Sequence, residues 1–163
     1  MKPFIVGVAA FILTLFCYSF NHDFNLNRHA LVDLRAVCEE ASVAGTLFYY
    51  KDQYAVGKIV FNQEESRKAI EAVITSMLEL DEELNPVQGS YWQEKVSYKA
   101  YFYDDSNTVY PHLYVDPDTG YTHLIKSPTI VVTINAGMAR YSLQFLKNGP
   151  DNIRSASHTW EGR

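Results

Sequence analysis

The sequence predicts an α+β protein: an N-terminal transmembrane and amphipathic helix, joined by a second helix, packs on an antiparallel sheet of four to five strands. Three observations carry this. Residues 4–20 contain no charge, apolar residues then recur at helical spacing as far as residue 80, and from residue 90 onward β-branched and aromatic residues alternate with polar ones. These shifts divide the chain into an apolar leader (1–20), a helical segment (22–84), a sheet segment (90–147) and a polar tail (148–163).

The uncharged run of the leader, "FIVGVAAFILTLFCYSF", is apolar on every side, which disfavours a core helix of a soluble protein. This run is at the lower limit for spanning about 30 Å of hydrocarbon as a helix. It is expected to be a retained anchor or an export signal. Small residues at the −3 and −1 sites of a cleavable signal are poorly represented, the best match being Cys17-Tyr18-Ser19. Lipidation at Cys17 is disfavoured by the bulky Phe16 before it. Retention is favoured by Tyr18, Phe20 and Phe24, whose rings suit the membrane–water boundary, and Lys2 favours a cytoplasmic amino terminus. Either way the rest of the chain is expected outside the cytoplasm.

Leu31, Leu34, Cys38, Ala41, Gly45 and Phe48 then follow a 3-4-3-4-3 rhythm, one stripe of a helix over about 28–50. No Pro or Gly-rich break separates this helix from the leader, so the two are expected to form one rod, interrupted at most around residues 21–27. Small residues at Cys38, Ala41 and Gly45 allow a facing element to approach the backbone closely. A second helix is expected over about 63–80, capped by Asn62 with Glu65 at the capping-box position. Its apolar stripe is Ile70, Val73, Ile74, Met77 and Leu78, with Glu64 and Lys68 paired at i,i+4. Between the two lie a turn at Gly57 and a short extended "KIVF"; Pro86 and Gly89 end the helical half.

In "YWQEKVSYKAYFYDD" Trp92, Val96, Tyr98, Ala100 and Phe102 share one strand face, and Tyr101 and Tyr103 fall on the other. "TVYPHLYV" and "YTHLIK" flank the turn "DPDTG" as a hairpin, with Pro111 placing the first at an edge. "TIVVTINAGM", apolar on both faces, reads as a central strand, and "RYSLQFL" as one more. The tail "KNGPDNIRSASHTWEGR" is expected to be loosely held.

A net charge of −5 with scattered Lys and Arg argues against a nucleic-acid partner. Cys17 and Cys38 lie about 30 Å apart if one helix joins them, too far for an intramolecular disulfide. His112 and His123 flank "DPDTG" symmetrically and could face each other across the hairpin, yet two ligands do not make a metal site. The same turn departs from a calcium loop, with Gly at its fifth position and Ser127 in place of the closing glutamate. No nucleophile elbow, phosphate loop or dinucleotide fingerprint occurs. No catalytic residue, metal or cofactor is therefore assigned, and the chain reads as a non-enzyme.

The candidates for interaction are the small stripe Cys38, Ala41 and Gly45 and the tyrosines Tyr101, Tyr103, Tyr110 and Tyr114, whose large area and polar tips suit peptide or subunit contacts. Two roles follow: a single-pass membrane protein with a structural or interaction head, or an anchored or secreted module binding a ligand or peptide on a Tyr-rich sheet. An apolar helix continuing into an amphipathic one and capped by an antiparallel sheet resembles the layout of pilin-like proteins, the type IV and Tad-type minor pilins. That resemblance implies a membrane-held subunit that packs through its helix with other copies, a homo-oligomer, and displays its sheet outward. An exposed stripe at residues 38, 41 and 45 would favour such assembly, and a covered one would favour the binding module.

Overall fold

The computed structural model describes residues 2–138, 140–142 and 151–162. Helix α1 spans Lys2–Thr46, 45 residues or about 67 Å of continuous rod. It passes through residues 21–27 without a break. Short α2 (Lys51–Ala55) and then α3 (Gln63–Leu78) follow. The strands are β1 (Ser97–Tyr103), β2 (His112–Val115), β3 (Thr122–Ile125), β4 (Thr129–Met138) and β5 (Asp151–Thr159). They form an antiparallel three-stranded sheet in the order β1-β4-β5 and a separate β2-β3 hairpin. The expected sheet of four to five strands is thus two sheets. The hairpin folds over the face of the larger sheet that the helices leave free.

The α3 cap is as expected, with the Asn62 side chain accepting from the Glu65 amide at 3.3 Å. Lys68 bridges both Glu64 and Glu65 at 2.9 Å. Ile70, Ile74 and Leu78 are buried and Val73 packs beside them, whereas Met77 faces out. The helix stops at Leu78 because Glu79 turns into the left-handed region (φ 54°) and Leu80 bridges to Pro86. The stretch before Gly57 is not merely a turn, since α2 occupies it.

The expected central strand is β4, and Ile130, Val131, Val132 and Ile134 on its two faces are fully buried. One face, with Ala100, Phe102 and Ala156, packs on Leu34, Val37, Cys38 and Ala41 of α1 and on Ile70 and Ile74 of α3. The other carries Val131, which packs with Tyr114 and Ile125 of the hairpin. A β-branched strand between two apolar layers explains why "TIVVTINAGM" lacks alternation.

The tail is corrected. Residues 151–159 form β5, paired with β4 from Thr129↔Thr159 to Met138↔Asp151. Its only wholly buried positions are Asn152 and Ala156, so it lacks the apolar alternation that marks a strand, and pairing with β4 organises it instead. Of "RYSLQFL", residues 140–142 are not strand and the rest lies outside the described residues, as do 148–150 of the tail.

Candidate functional site

Three regions of the structure bear on function: the stem, the junction of stem and head, and the outer side of the sheet.

The stem is the amino-terminal part of α1. It contains an 18-residue window long and apolar enough to cross a membrane, none of it buried. Such a window spans about 27 Å as a helix. Phe4, Phe11, Leu13 and Tyr18 are each more than 60% exposed, so no part of the described chain covers this surface.

The buried stripe begins where the stem ends, at polar Asp23 and Asn27, and runs through Ala30, Leu34, Val37, Cys38 and Ala41 to Gly45. Asp23 is 2% exposed, and its carboxylate accepts from the Ser142 amide and hydroxyl, both at 2.8 Å. Asn27 accepts from the Tyr91 hydroxyl at 3.1 Å and donates to the Tyr141 hydroxyl. These bonds tie the sheet end of the head to α1 within about two turns of Phe20. The helical rhythm placed the start of the stripe at Leu31 because it counts apolar residues only.

Cys38, Ala41 and Gly45 lie inside the protein. Cys38 and Ala41 are fully buried, and the Cys38 Sγ donates to the Arg154 carbonyl at 3.2 Å. Burial pushes the Cys38 thiol up to about 12, so it stays protonated. A Cβ on Gly45 would meet Ile70 Cδ1 at 3.0 Å and Ile130 Cδ1 at 3.1 Å. The close approach that the small residues permit is therefore to the protein's own sheet and α3, and the stripe offers no surface to a second chain.

Of the tyrosines Tyr114 is buried, and Tyr101, Tyr103 and Tyr110 are half-buried against it. Tyr101 and Tyr103 of β1 pack against Tyr114 of the hairpin in tilted and edge-to-face contacts, with ring centroids 5.5 and 5.9 Å apart, and Tyr110 packs on the same small core. Tyr114 is 5% exposed. They glue the hairpin to the sheet rather than present a Tyr-rich binding face. Folding the hairpin over β1 and β4 is what hides them. The hydroxyl of Tyr110 has no hydrogen-bond partner among the described residues, and burial first, then Asp105 and Asp104, push it upward.

At the heart of that glue is Asp116, 1% exposed, the first residue of "DPDTG". One carboxylate oxygen accepts from the Asp118 and Thr119 amides (2.9 Å each) and the Thr119 hydroxyl (3.0 Å). The other accepts from the Thr133 hydroxyl of β4 at 2.7 Å and the Tyr114 hydroxyl at 2.8 Å. Burial alone would raise its pKa, but these donors outweigh it and hold the carboxyl at about 2. The turn is visible in the sequence, whereas the bond to Thr133 across the fold is not. His112 and His123 do not face each other: His112 pairs with Ile125 and His123 with Tyr114. Among the described residues no three potential ligands cluster to hold a metal.

Beside the hairpin a groove of about 750 Å³ follows β5, walled by Arg35, Glu39 and Val43 of α1 on one side and by Gly120, Tyr121 and His123 on the other. The Ser155 and Ser157 hydroxyls bond to Thr119 (3.0 Å) and Tyr121 (2.9 Å) and so hold the second wall in place. Sequence reasoning missed this site because it assigned β5 to the tail.

Comparison of the chain with protein-family models, curated proteins and solved structures finds no match. What the structure defines is an α+β head on a long apolar helix compatible with a single-pass membrane anchor or a signal.

Proposed function

We propose that this is a single-pass, membrane-anchored protein whose head stands outside the cytoplasm and serves a non-enzymatic interaction role. The observation that carries the reading is the continuity of α1: bare apolar helix of bilayer length runs unbroken into the stripe that packs in the head's core. A hinge between them would let the head tumble, whereas one rod clamped at Asp23 sets its distance and orientation relative to the bilayer. Lys2 ahead of the span and the aromatic residues Tyr18, Phe20 and Phe24 at its far end support a cytoplasmic amino terminus and an external head. The covered stripe favours a binding head over assembly through residues 38–45.

The test is membrane fractionation with intact mass. Full-length chain in the membrane fraction, with the head degraded by protease added outside the cell, is the expected result; loss of residues 1–19 would reject the anchor. Leu13→Lys places a charge near the middle of the stem, at a cost of about 2.5–3.5 kcal/mol on insertion. It is expected to move the chain out of the membrane while the head's tryptophan fluorescence stays native.

A second reading, pilin-like assembly, is favoured by one feature: half of α1 lies bare and half lies on the protein's own antiparallel sheet. Assembly would then run through the stems. Cys17 is exposed on the stem, so oxidative crosslinking in membranes would give a Cys17-linked dimer, and its absence would count against stem packing.

A further inference from the structure

β5 is an outer strand of its sheet, and one hydrogen bond sets the phase of its ladder. The Trp160 amide donates to the Pro128 carbonyl at 2.7 Å, just beyond the Thr129↔Thr159 pair. Hydrogen-bonded pairs alternate in an antiparallel ladder, so residues 154, 156 and 158 bond to β4, while Ile153, Ser155, Ser157 and Thr159 direct their N–H and C=O groups away from it. Among the described residues none of these four makes a backbone bond on that outer side. The Ile153 carbonyl takes only a side chain there, Arg154 Nη1 at 2.8 Å.

This open edge forms the floor of the groove. Smaller clefts extend it at both ends, one sharing Arg35, Glu39 and Arg154 and reaching Arg28, the other sharing Val43 and His158 and reaching Trp160. Walls on both sides of the strand edge leave a trough along β5, the shape that an added extended segment fills. Arg35 and Glu39 pair with each other at 2.9 Å, so at the end toward the stem the groove carries the two arginines Arg28 and Arg154 outside any ion pair among the described residues, and at the other end Glu161.

The geometry points to an acidic, extended peptide segment of another protein as the occupant, added to β5 as a fourth strand. Its backbone bonds to Ile153, Ser155, Ser157 and Thr159, and its carboxylates meet Arg154 and Arg28. Displacing Arg154 from the Ile153 carbonyl frees both the edge and the guanidinium. This site goes beyond anchoring and stands whether or not the stem is retained.

The test uses the full chain in detergent micelles and two blocked seven-residue peptides, one alternating threonine and glutamate, the other threonine and lysine. Amide exchange at residues 153, 155 and 157 is expected to slow at least tenfold with the glutamate peptide and not with the lysine peptide. Arg154→Glu is expected to reverse that preference. Ile153→Pro removes one outward N–H and leaves the ladder to β4 intact; it is expected to weaken binding at least tenfold with an unchanged tryptophan-monitored melt. Equal binding of both peptides, or of neither, overturns the proposal. So does protection of these amides that grows with protein concentration alone, because a second copy would then be the occupant.

Discussion

Replacing Asp116 with Asn tests how the hairpin is attached to the sheet. Asn preserves shape and one carbonyl oxygen, so the Asp118 and Thr119 amides keep their acceptor. The other oxygen becomes an NH₂ facing the Tyr114 and Thr133 hydroxyls, both donors to the native carboxylate. Thr133 can turn to Ser155, 2.9 Å away, which leaves the Tyr114 proton without a partner inside the small core. Losing a hydrogen bond to a charged group costs about 1.5–3 kcal/mol. The pKa gives a similar figure by a separate route. A carboxyl at about 2 when folded and 3.8 ordinarily corresponds to about 2.4 kcal/mol of stabilisation by the ionised form. Because the folded value is depressed, this stabilisation is complete above pH 4 and is lost as pH falls through 2. Asp116→Asn should therefore be about 2–3 kcal/mol less stable than the parent at pH 7, a gap that narrows to about 0.5 kcal/mol near pH 2. Both tryptophans, Trp92 and Trp160, lie in the head, so urea melts in micelles followed by their fluorescence report the head alone. A gap of constant size from pH 7 to pH 2.5 would refute the reasoning.

Gly45→Val drives new atoms into Ile70 and Ile130, and the same urea melt should show a loss of about 1–3 kcal/mol despite the better helix former. Maleimide is expected to label Cys17 at once in micelles and Cys38 only after the head unfolds. Because burial raises the Cys38 thiol to about 12, stability should also fall as pH climbs above 9, and Cys38→Ala should lessen that fall. Asp23→Ala removes both acceptors of Ser142, and exchange of the Ser142 amide should quicken at least tenfold while α1 stays helical by circular dichroism.

Legibility in the sequence followed the locality of the physics. The α3 cap, the Glu64–Lys68 pair, the "DPDTG" turn and the hairpin around it depend on residues close in sequence, and each stands where the local pattern placed it. β4 was legible because its burial on two faces leaves a continuous apolar run. β5 was not, since Ser155, Ser157 and Thr159 are strand residues only by virtue of the strand beside them. The tyrosines misled for a related reason. A polar-tipped ring on a strand's second face looks exposed until another sheet is folded over it.

The sequence by itself determined the long rod, the second helix, the strands with apolar rhythm and the uncovered greasy stem, because hydropathy period and capping act within a few residues. Only the tertiary structure decided that the small stripe turns inward and the tyrosines pack under the hairpin, that Asp23 and Asp116 are buried acceptors, and that the last strand leaves an open edge in a groove with Arg28 and Arg154 at one end. Those outcomes depend on which surfaces meet across many residues of chain, and a carboxylate or a strand edge takes its character from the partner it finds there.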